Sequence, residues 1–346
     1  MVAEGVRRVL EAPTDLVRDG RISFGTYAEP IPNPNLIDAQ PWGLPVPRAL
    51  RALRLKEWQA FQFANRRYFF VVALFDAKVM GLVQIKAYDR QQKRKYVFER
   101  KLPGWSLRPA GNLLDSTFAH SGLRFVNDLR HDRIDIDIDV PASPQMPALK
   151  GSLRILAAGC EPEVVCIPFA ENRGMYSHKC CMGIEGELRM GDERLHFSDG
   201  DSFALIDDHK GYYAWVMRWD WVTGAGFDPQ GRRIGFNLTK NASVDPQGYN
   251  ENCLWIDGRR HLLPPVRFRR RPELTPEVWE IRDDDGAVEV DFVIEVDGRV
   301  RVNALVVESR YRGPFGHFRG RLRGPEGAEV AVDDFFGMGE DFYLRC

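Results

Sequence analysis

Three carboxylates stand out by their surroundings. Asp207 closes the apolar run SFALI, Glu251 lies within NENCLWIDG, and Glu340 within VDDFFGMGED. Burial in an apolar or aromatic setting raises a carboxyl pKa, so each is a candidate general acid, able to protonate an alkene or hold the polar head of an apolar molecule. Such acid-base work (hydration, isomerisation or cyclisation) needs no cofactor. The competing reading is structural: Glu251 and Asn252 satisfy buried backbone groups, and Glu340 pairs with Lys179 or an arginine.

Beside the first carboxylate runs DDHKGYYAWVMRWDW, residues 207 to 221. Read as a strand, its Tyr213, Trp215, Met217, Trp219 and Trp221 share one face, because side chains alternate across a strand. That aromatic stripe serves either as core or as the wall of a pocket for a lipid- or isoprenoid-like molecule, where tryptophan faces stabilise developing positive charge. Asn237 and Asn252 are then candidates to orient the acid or the polar end of the ligand. Asp207, Asp208, His209 and Lys210 are placed at the mouth of the strand, with Asp207 pointing inward and Asp208 and His209 in a solvated turn. The alternative is a non-catalytic structural or protein-interaction protein, its aromatic face buried as core or at a dimer contact.

Other chemistries lack residues. No GxSxG elbow or cysteine signature supports nucleophilic catalysis, and no GxGxxG or GxxxxGK[ST] motif follows a strand. His178-Lys179-Cys180-Cys181 has no second ligand pair, and adjacent strand residues point to opposite faces, so no metal is expected. The six cysteines form no CxxC pair and read as reduced, mostly buried thiols. Sequons at Asn237 and Asn241 are chance matches.

Forty-eight basic residues against 49 acidic ones give a net charge of -1, which provides no field for nucleic acid or anionic surfaces. QQKRK (91 to 95) and RFRRR (267 to 271) are expected to be solvated loops. The N-terminus lacks a signal-peptide core, and YFFVVALF (68 to 75) is too short for a membrane-spanning helix, so a soluble cytoplasmic protein is expected.

The elements that must position the candidates are mainly strands. One helix is predicted, over residues 47 to 61, after an irregular proline-rich lead-in. Short apolar or alternating runs recur from residue 66 onward, among them RIDIDIDV (133 to 140), whose isoleucines and aspartates take opposite faces. In VEVDFVIEVDGRVRVNALVV (288 to 307) a three-residue loop, Asp297 to Arg299, pairs Val296 with Val300 and Ile294 with Val302. These patterns predict two antiparallel lipocalin-like barrel or sandwich units packed side by side with little helix: an N-terminal extension over 1 to 20, one unit over 21 to 175 and another over 176 to 346.

Four segments carry a family resemblance: ENRGMYSHK (171 to 179), FALIDDHKGYYAWVMRWDW (203 to 221), IGFNL with NENCLWIDG, and GPFGHFRGRL with VDDFFGMGED. Together they resemble the bacterial domain-of-unknown-function family 2804. Family-like features fall on Glu171, Asn172, His178, Lys179, Asp207, Gly211, Trp219, Trp221, Asn237, Glu251, Asn252, Phe315, Gly316 and Glu340. The resemblance departs at Lys210, where an arginine is expected; a lysine there would clamp a carboxylate less firmly. More distantly, the architecture is similar to the lipocalin-type double barrels of carotenoid hydratases and decalin-forming cyclases. That similarity implies an apolar ligand; His178, Lys179, Lys210, Tyr213, Trp215, Trp219 and Trp221 are the candidate contacts for it.

Overall fold

The computed structural model describes residues 7–304, 307–324, 327 and 329–345. Residues 1 to 6 of the expected N-terminal extension lie outside this set. The chain forms two large, curled, antiparallel sheets, and its α-helix Arg48–Arg54 is short. In the first sheet the central strands run in the order Tyr68–Asp76, Leu55–Ala64, Phe203–Tyr212, Arg173–Met190, Leu149–Leu156 and Arg133–Val140. The second is centred on Arg233–Lys240, Val216–Phe227, Glu329–Arg345, Phe315–Arg323 and Val288–Val296.

Each sheet encloses an apolar core of its own. A third core, containing Phe69, Leu205 and Cys181 from the first sheet with Trp221, Trp255 and Phe336 from the second, lies between them. Consequently the first-sheet strands at this junction are covered on both faces, and every residue of Phe203–Tyr212 is buried. Close approach of the sheets depends on Gly235, where a Cβ would fall 2.4 Å from Cys181 Sγ. The long strand Arg173–Met190 turns from one set of partners to another along its length, the change falling between Lys179 and Gly183.

Several expectations need correction. The chain passes from the first sheet to the second between Tyr212 and Val216 rather than near residue 175, because Arg173–Met190 and Phe203–Tyr212 pair within the first sheet. The predicted helix over 47 to 61 stops at Arg54. From Leu55 the residues alternate, with Phe61 and Phe63 facing the first core and Trp58 facing the other way, and hydrogen bonding to strands on both sides outweighs helix propensity.

The hairpin expected at Asp297 to Arg299 does not form. Val288–Val296 pairs with Phe315–Arg323, setting Phe292 against Phe318 with ring centroids 4.5 Å apart, a more apolar partner than the arginine-bearing Arg299–Ala304. The latter pairs with Val307–Arg312 instead, and the Val302 side chain lies outside the described residues. RFRRR is the strand Arg267–Arg271, its arginines paired with acids such as Asp220 and Glu280. Arg133–Val140 follows expectation: Ile134, Ile136 and Ile138 are buried, while Asp135, Asp137 and Asp139 meet Arg154, Arg124 and Lys150.

The N-terminal segment is part of the packed structure. Val9–Leu10 pairs in parallel with Gly25–Tyr27, and the buried Arg7 reaches Glu163 Oε1 at 2.7 Å and the Asn250 carbonyl at 2.5 Å. It also donates to the Asn252 carbonyl, and Arg260 meets the second Glu163 oxygen at 3.3 Å. Glu163 belongs to the first sheet, whereas residues 250 to 252 lead into a strand of the second, so Arg7 fastens one to the other. We expect Arg7→Met to leave Glu163 underpaired and to lower unfolding stability by about 3 kcal/mol. Urea denaturation measures this, and an unchanged midpoint would remove Arg7 from this role.

Candidate functional site

Alternation along Phe203–Tyr212 divides the acid-and-base run between two compartments. Asp207 and His209 face the second sheet; Asp208 and Lys210 face the interior of the first. Register aligns Asp207 with Lys179, and His209 with Ser177 on one side and Trp58 on the other.

The result is a compact buried network. Lys179 Nζ donates to Asp207 Oδ1 at 2.5 Å, and His209 Nε2 lies 2.7 Å from the same oxygen. Ser177 Oγ donates to Glu251 Oε2 at 2.8 Å and lies 3.1 Å from His209 Nε2, while Glu251 stands 3.7 Å from both Lys179 Nζ and His209 Nε2. Lys179 also lies over the Trp221 ring, 5.1 Å from its centroid. Burial pushes the Asp207 carboxyl up, but the charges of His209 and Lys179, with their hydrogen bonds, outweigh it and hold the pKa well below the usual carboxylate range. Asp207 is therefore ionised at neutral pH and is not the raised-pKa acid expected from its apolar context.

Glu340 has the opposite environment. Trp221 is its cross-strand neighbour, and its carboxylate accepts hydrogen bonds from Trp219 Nε1 and Tyr311 OH, each at 2.9 Å. Desolvation raises its pKa against those two hydrogen bonds, and the negative charge of Asp207 raises it further. Lys86, the nearby cation, is itself made less basic by burial. The expected pairing of Glu340 with Lys179 is replaced by these two neutral donors.

Aromatic rings cover the network. Trp58 stacks on His209 at 4.4 Å between centroids and lies 5.8 Å from Tyr213 and 5.9 Å from Trp219; Trp219 stacks on Phe342 at 4.0 Å. Trp58 Nε1 reaches Asp207 Oδ2 at 3.4 Å, so the wall and the charges are joined. Trp58, Trp219 and Phe342 are only partly buried, where the two sheets meet.

The expected residues divide accordingly. Asp207, Glu251, Glu340, Lys179, Tyr213, Trp219 and Trp221 come together here. Asn237 accepts from Trp221 Nε1 at 2.6 Å and donates to the Glu251 carbonyl at 2.8 Å; Asn252 accepts from the Thr239 amide and donates to the Pro264 carbonyl. Both asparagines thus support the site from behind, where their amides are occupied by protein groups.

Three expected contacts belong elsewhere. His178 and Lys210 face the first compartment: burial lowers the His178 pKa to about 3, and Lys210 donates to the Ala110 carbonyl at 2.9 Å. Trp215 lies in the exposed link before Val216, off the strand that would have aligned it with the stripe. Asp208 and His209, expected in a solvated turn, are buried strand residues. His209, Ser177, Trp58 and Tyr311 were missed by sequence reasoning. Trp58 and His209 carry a signal in retrospect, because the alternation of residues 55 to 64 and 203 to 212 assigns both to the face turned to the second sheet. An open cleft over the outer face of the first sheet is walled by Asp135, Asp137, Arg154 and Glu185, a charged lining unsuited to an apolar guest.

Comparison with solved structures shows the same fold at low identity. A crystal structure of CghA aligns with TM-score 0.51 and 13% identity over 85% of this chain and 88% of that chain. CghA with Sch210972 gives 0.52 and 14% over 85% and 89%. Kievitone hydratase from Nectria haematococca gives 0.50 and 12% over 84% and 88%. No curated protein matches the sequence. The family model described as "Domain of unknown function (DUF2804)" matches residues 7–345, and the chain belongs to that family.

Proposed function

We propose that a small hydrophobic molecule, lipid- or isoprenoid-like, binds at the aromatic cluster where the sheets meet, and that the protein acts on it by cofactor-free proton transfer such as hydration, isomerisation or cyclisation. The observation that carries this reading is the contrast between two carboxyl groups in one aromatic setting: Glu340 is pushed toward its protonated form, and Asp207 is held ionised. Environments that separate two pKa values in this way divide acid from base or counter-ion. Glu340 is the proton donor. Asp207, balanced by Lys179 and His209, is a fixed negative charge beside which a cationic centre on the substrate is stabilised. Trp58, Trp219 and Tyr213 supply apolar contact and ring faces for such a cation. The fold shared with a kievitone hydratase is consistent with this chemistry and does not by itself assign it.

Binding is tested by tryptophan fluorescence during titration with farnesol or oleic acid. Trp219→Ala is expected to weaken the response about tenfold, the scale of losing a large apolar contact; a response it leaves unaltered moves the site elsewhere. Catalysis is tested by mass spectrometry of products from an isoprenoid alkene. Glu340→Gln is expected to lower turnover about 100-fold or more while farnesol still binds. A rate limited by protonated Glu340 falls as pH rises through its raised pKa, and a wild-type rate that climbs across that range would refute the assignment.

Asp207→Asn separates support from chemistry. Lys179 then loses its hydrogen-bonded counter-ion and keeps only the Glu251 carboxylate, 3.7 Å away, at a cost of about 3 kcal/mol of stability. Because the folded pKa of Asp207 is lowered, its stabilisation is fully present above the ordinary value of 3.8 and is lost as pH falls through the folded value. Thermal melts of wild type and Asp207→Asn should therefore differ most near neutral pH and converge in acid. Equal melting temperatures at pH 7 would contradict the role given to the pair.

A further inference from the structure

Lys86 is a buried amine that the proton-transfer reading leaves unused. It stands in the strand Met80–Asp89, where Ile85 and Ala87 enter the first core, so Lys86 and Tyr88 face the second sheet. Its Nζ lies over the Tyr311 ring, 5.1 Å from the centroid, and the Tyr311 hydroxyl donates to Glu340. Although only 9% exposed, Lys86 makes no hydrogen bond or ion pair among the described residues. The other buried lysines differ: Lys179 donates to Asp207, Lys210 to the Ala110 carbonyl and Lys56 to the Ala77 carbonyl.

The neighbours of Lys86 make it a nucleophile rather than a fixed charge. Burial lowers its pKa against the opposing charges of Glu340 and Glu99. Lys95, on the adjacent strand Arg94–Pro103, faces the same way and lies over the Phe315 ring at 4.4 Å. Burial, and then the charge of Lys86, bring Lys95 down to about 8. A desolvated lysine beside a second cationic group is the setting in which the free amine is available near neutral pH.

A guest can reach this amine, because Val97, directly opposite Lys86, and Gln84 and Ala73, diagonal to it on the same face, are partly exposed. In the same cross-strand row, on the far side of Val71, the buried Gln62 Oε1 has no hydrogen-bond partner among the described residues. A guest carboxylate would bring a further acid beside Glu340, whereas a carbonyl brings no charge.

From this cluster we infer that Lys86 captures an apolar aldehyde as an imine, with the carbonyl end beneath Tyr311 and the chain along the aromatic cluster. The amine nitrogen attacks the carbonyl carbon and a C–N bond forms. Nitrogen gives up two protons, the carbonyl oxygen takes up two and leaves as water, and neither partner is oxidised or reduced. Glu340, held by Tyr311, lends a proton to the departing oxygen and recovers one from nitrogen. The inference rests on the reading that an apolar molecule enters where the sheets meet, and it requires no proton transfer to an alkene.

The test is reductive trapping of the full chain with the isoprenoid aldehyde citronellal and cyanoborohydride, followed by peptide mass spectrometry. One main adduct is expected, on Lys86, at least about tenfold above Lys101 and Lys150, the scale by which desolvation raises the free-amine fraction. Those two side chains are 68% and 64% exposed and report ordinary surface reactivity. Lys86→Arg and Lys86→Met should both lose the adduct. The methionine variant replaces an unpaired buried amine by an apolar chain of similar length, so its melting temperature is expected not to fall. Labelling that follows exposure and spares Lys86 overturns the inference, as does a main adduct that Lys86→Arg retains. Farnesol fluorescence of the wild type separates the failures: a farnesol response without a Lys86 adduct removes imine capture alone, and neither response removes the binding reading as well. A Lys86 adduct without a farnesol response upholds imine capture and removes alcohol binding.

Discussion

A lysine and an aspartate shut away from water set the terms for much of this molecule. Lys179 and Asp207 sit on neighbouring strands whose two faces are both covered, and charges in such a place persist only if their remaining hydrogen-bonding capacity is met. His209, Ser177 and Glu251 meet it. Glu251 in turn requires the segment 250 to 252 to lie against the first sheet; Asn237 and Arg7 donate to its backbone carbonyls, and the Asn252 side chain accepts from the Thr239 amide. The docking of one sheet on the other is thus as much a matter of polar pairing as of the apolar core between them.

That arrangement also explains how three carboxylates in similar apolar sequence contexts come to differ. Asp207 receives a lysine ammonium and an imidazole; Glu340 receives an indole and a phenol; Glu251 receives a serine hydroxyl and stands back from the lysine and the histidine. Local hydrophobicity does not distinguish them. The distinction is made by strands far apart in the chain, with Lys179 and Ser177 on one, Trp219 on another and Tyr311 on a third.

Legibility from the sequence follows the range of the interaction. The mainly β class and the faces of Arg133–Val140 could be read from period-2 patterning, and apolar context with the family resemblance singled out Asp207, Glu251, Glu340, Trp219 and Trp221 one by one as candidates. Strand pairing could not be read in this way. The turn at Asp297 looks like a hairpin, yet Phe292 finds a better partner in Phe318. Residues 47 to 61 suit a helix until Leu55, where neighbouring strands recruit them. Asp208 and His209 read as turn residues because polarity usually signals solvent. In a strand with two covered faces it signals an internal partner instead, and His209 finds Asp207 whereas Asp208 faces the other way.

Because parity alone assigns each residue of Phe203–Tyr212 to a compartment, the length of this segment matters more than the identity of most of its side chains. Losing or gaining one residue upstream of Asp207, with strand pairing otherwise kept, would bring Asp208 and Lys210 to the aromatic wall and send Asp207 and His209 into the first barrel. The swapped residues are again acids and bases, so composition would scarcely record the change, while every charge would face a stranger. Divergence in this region should therefore proceed by replacement at constant spacing, with insertions and deletions confined to the loops on either side.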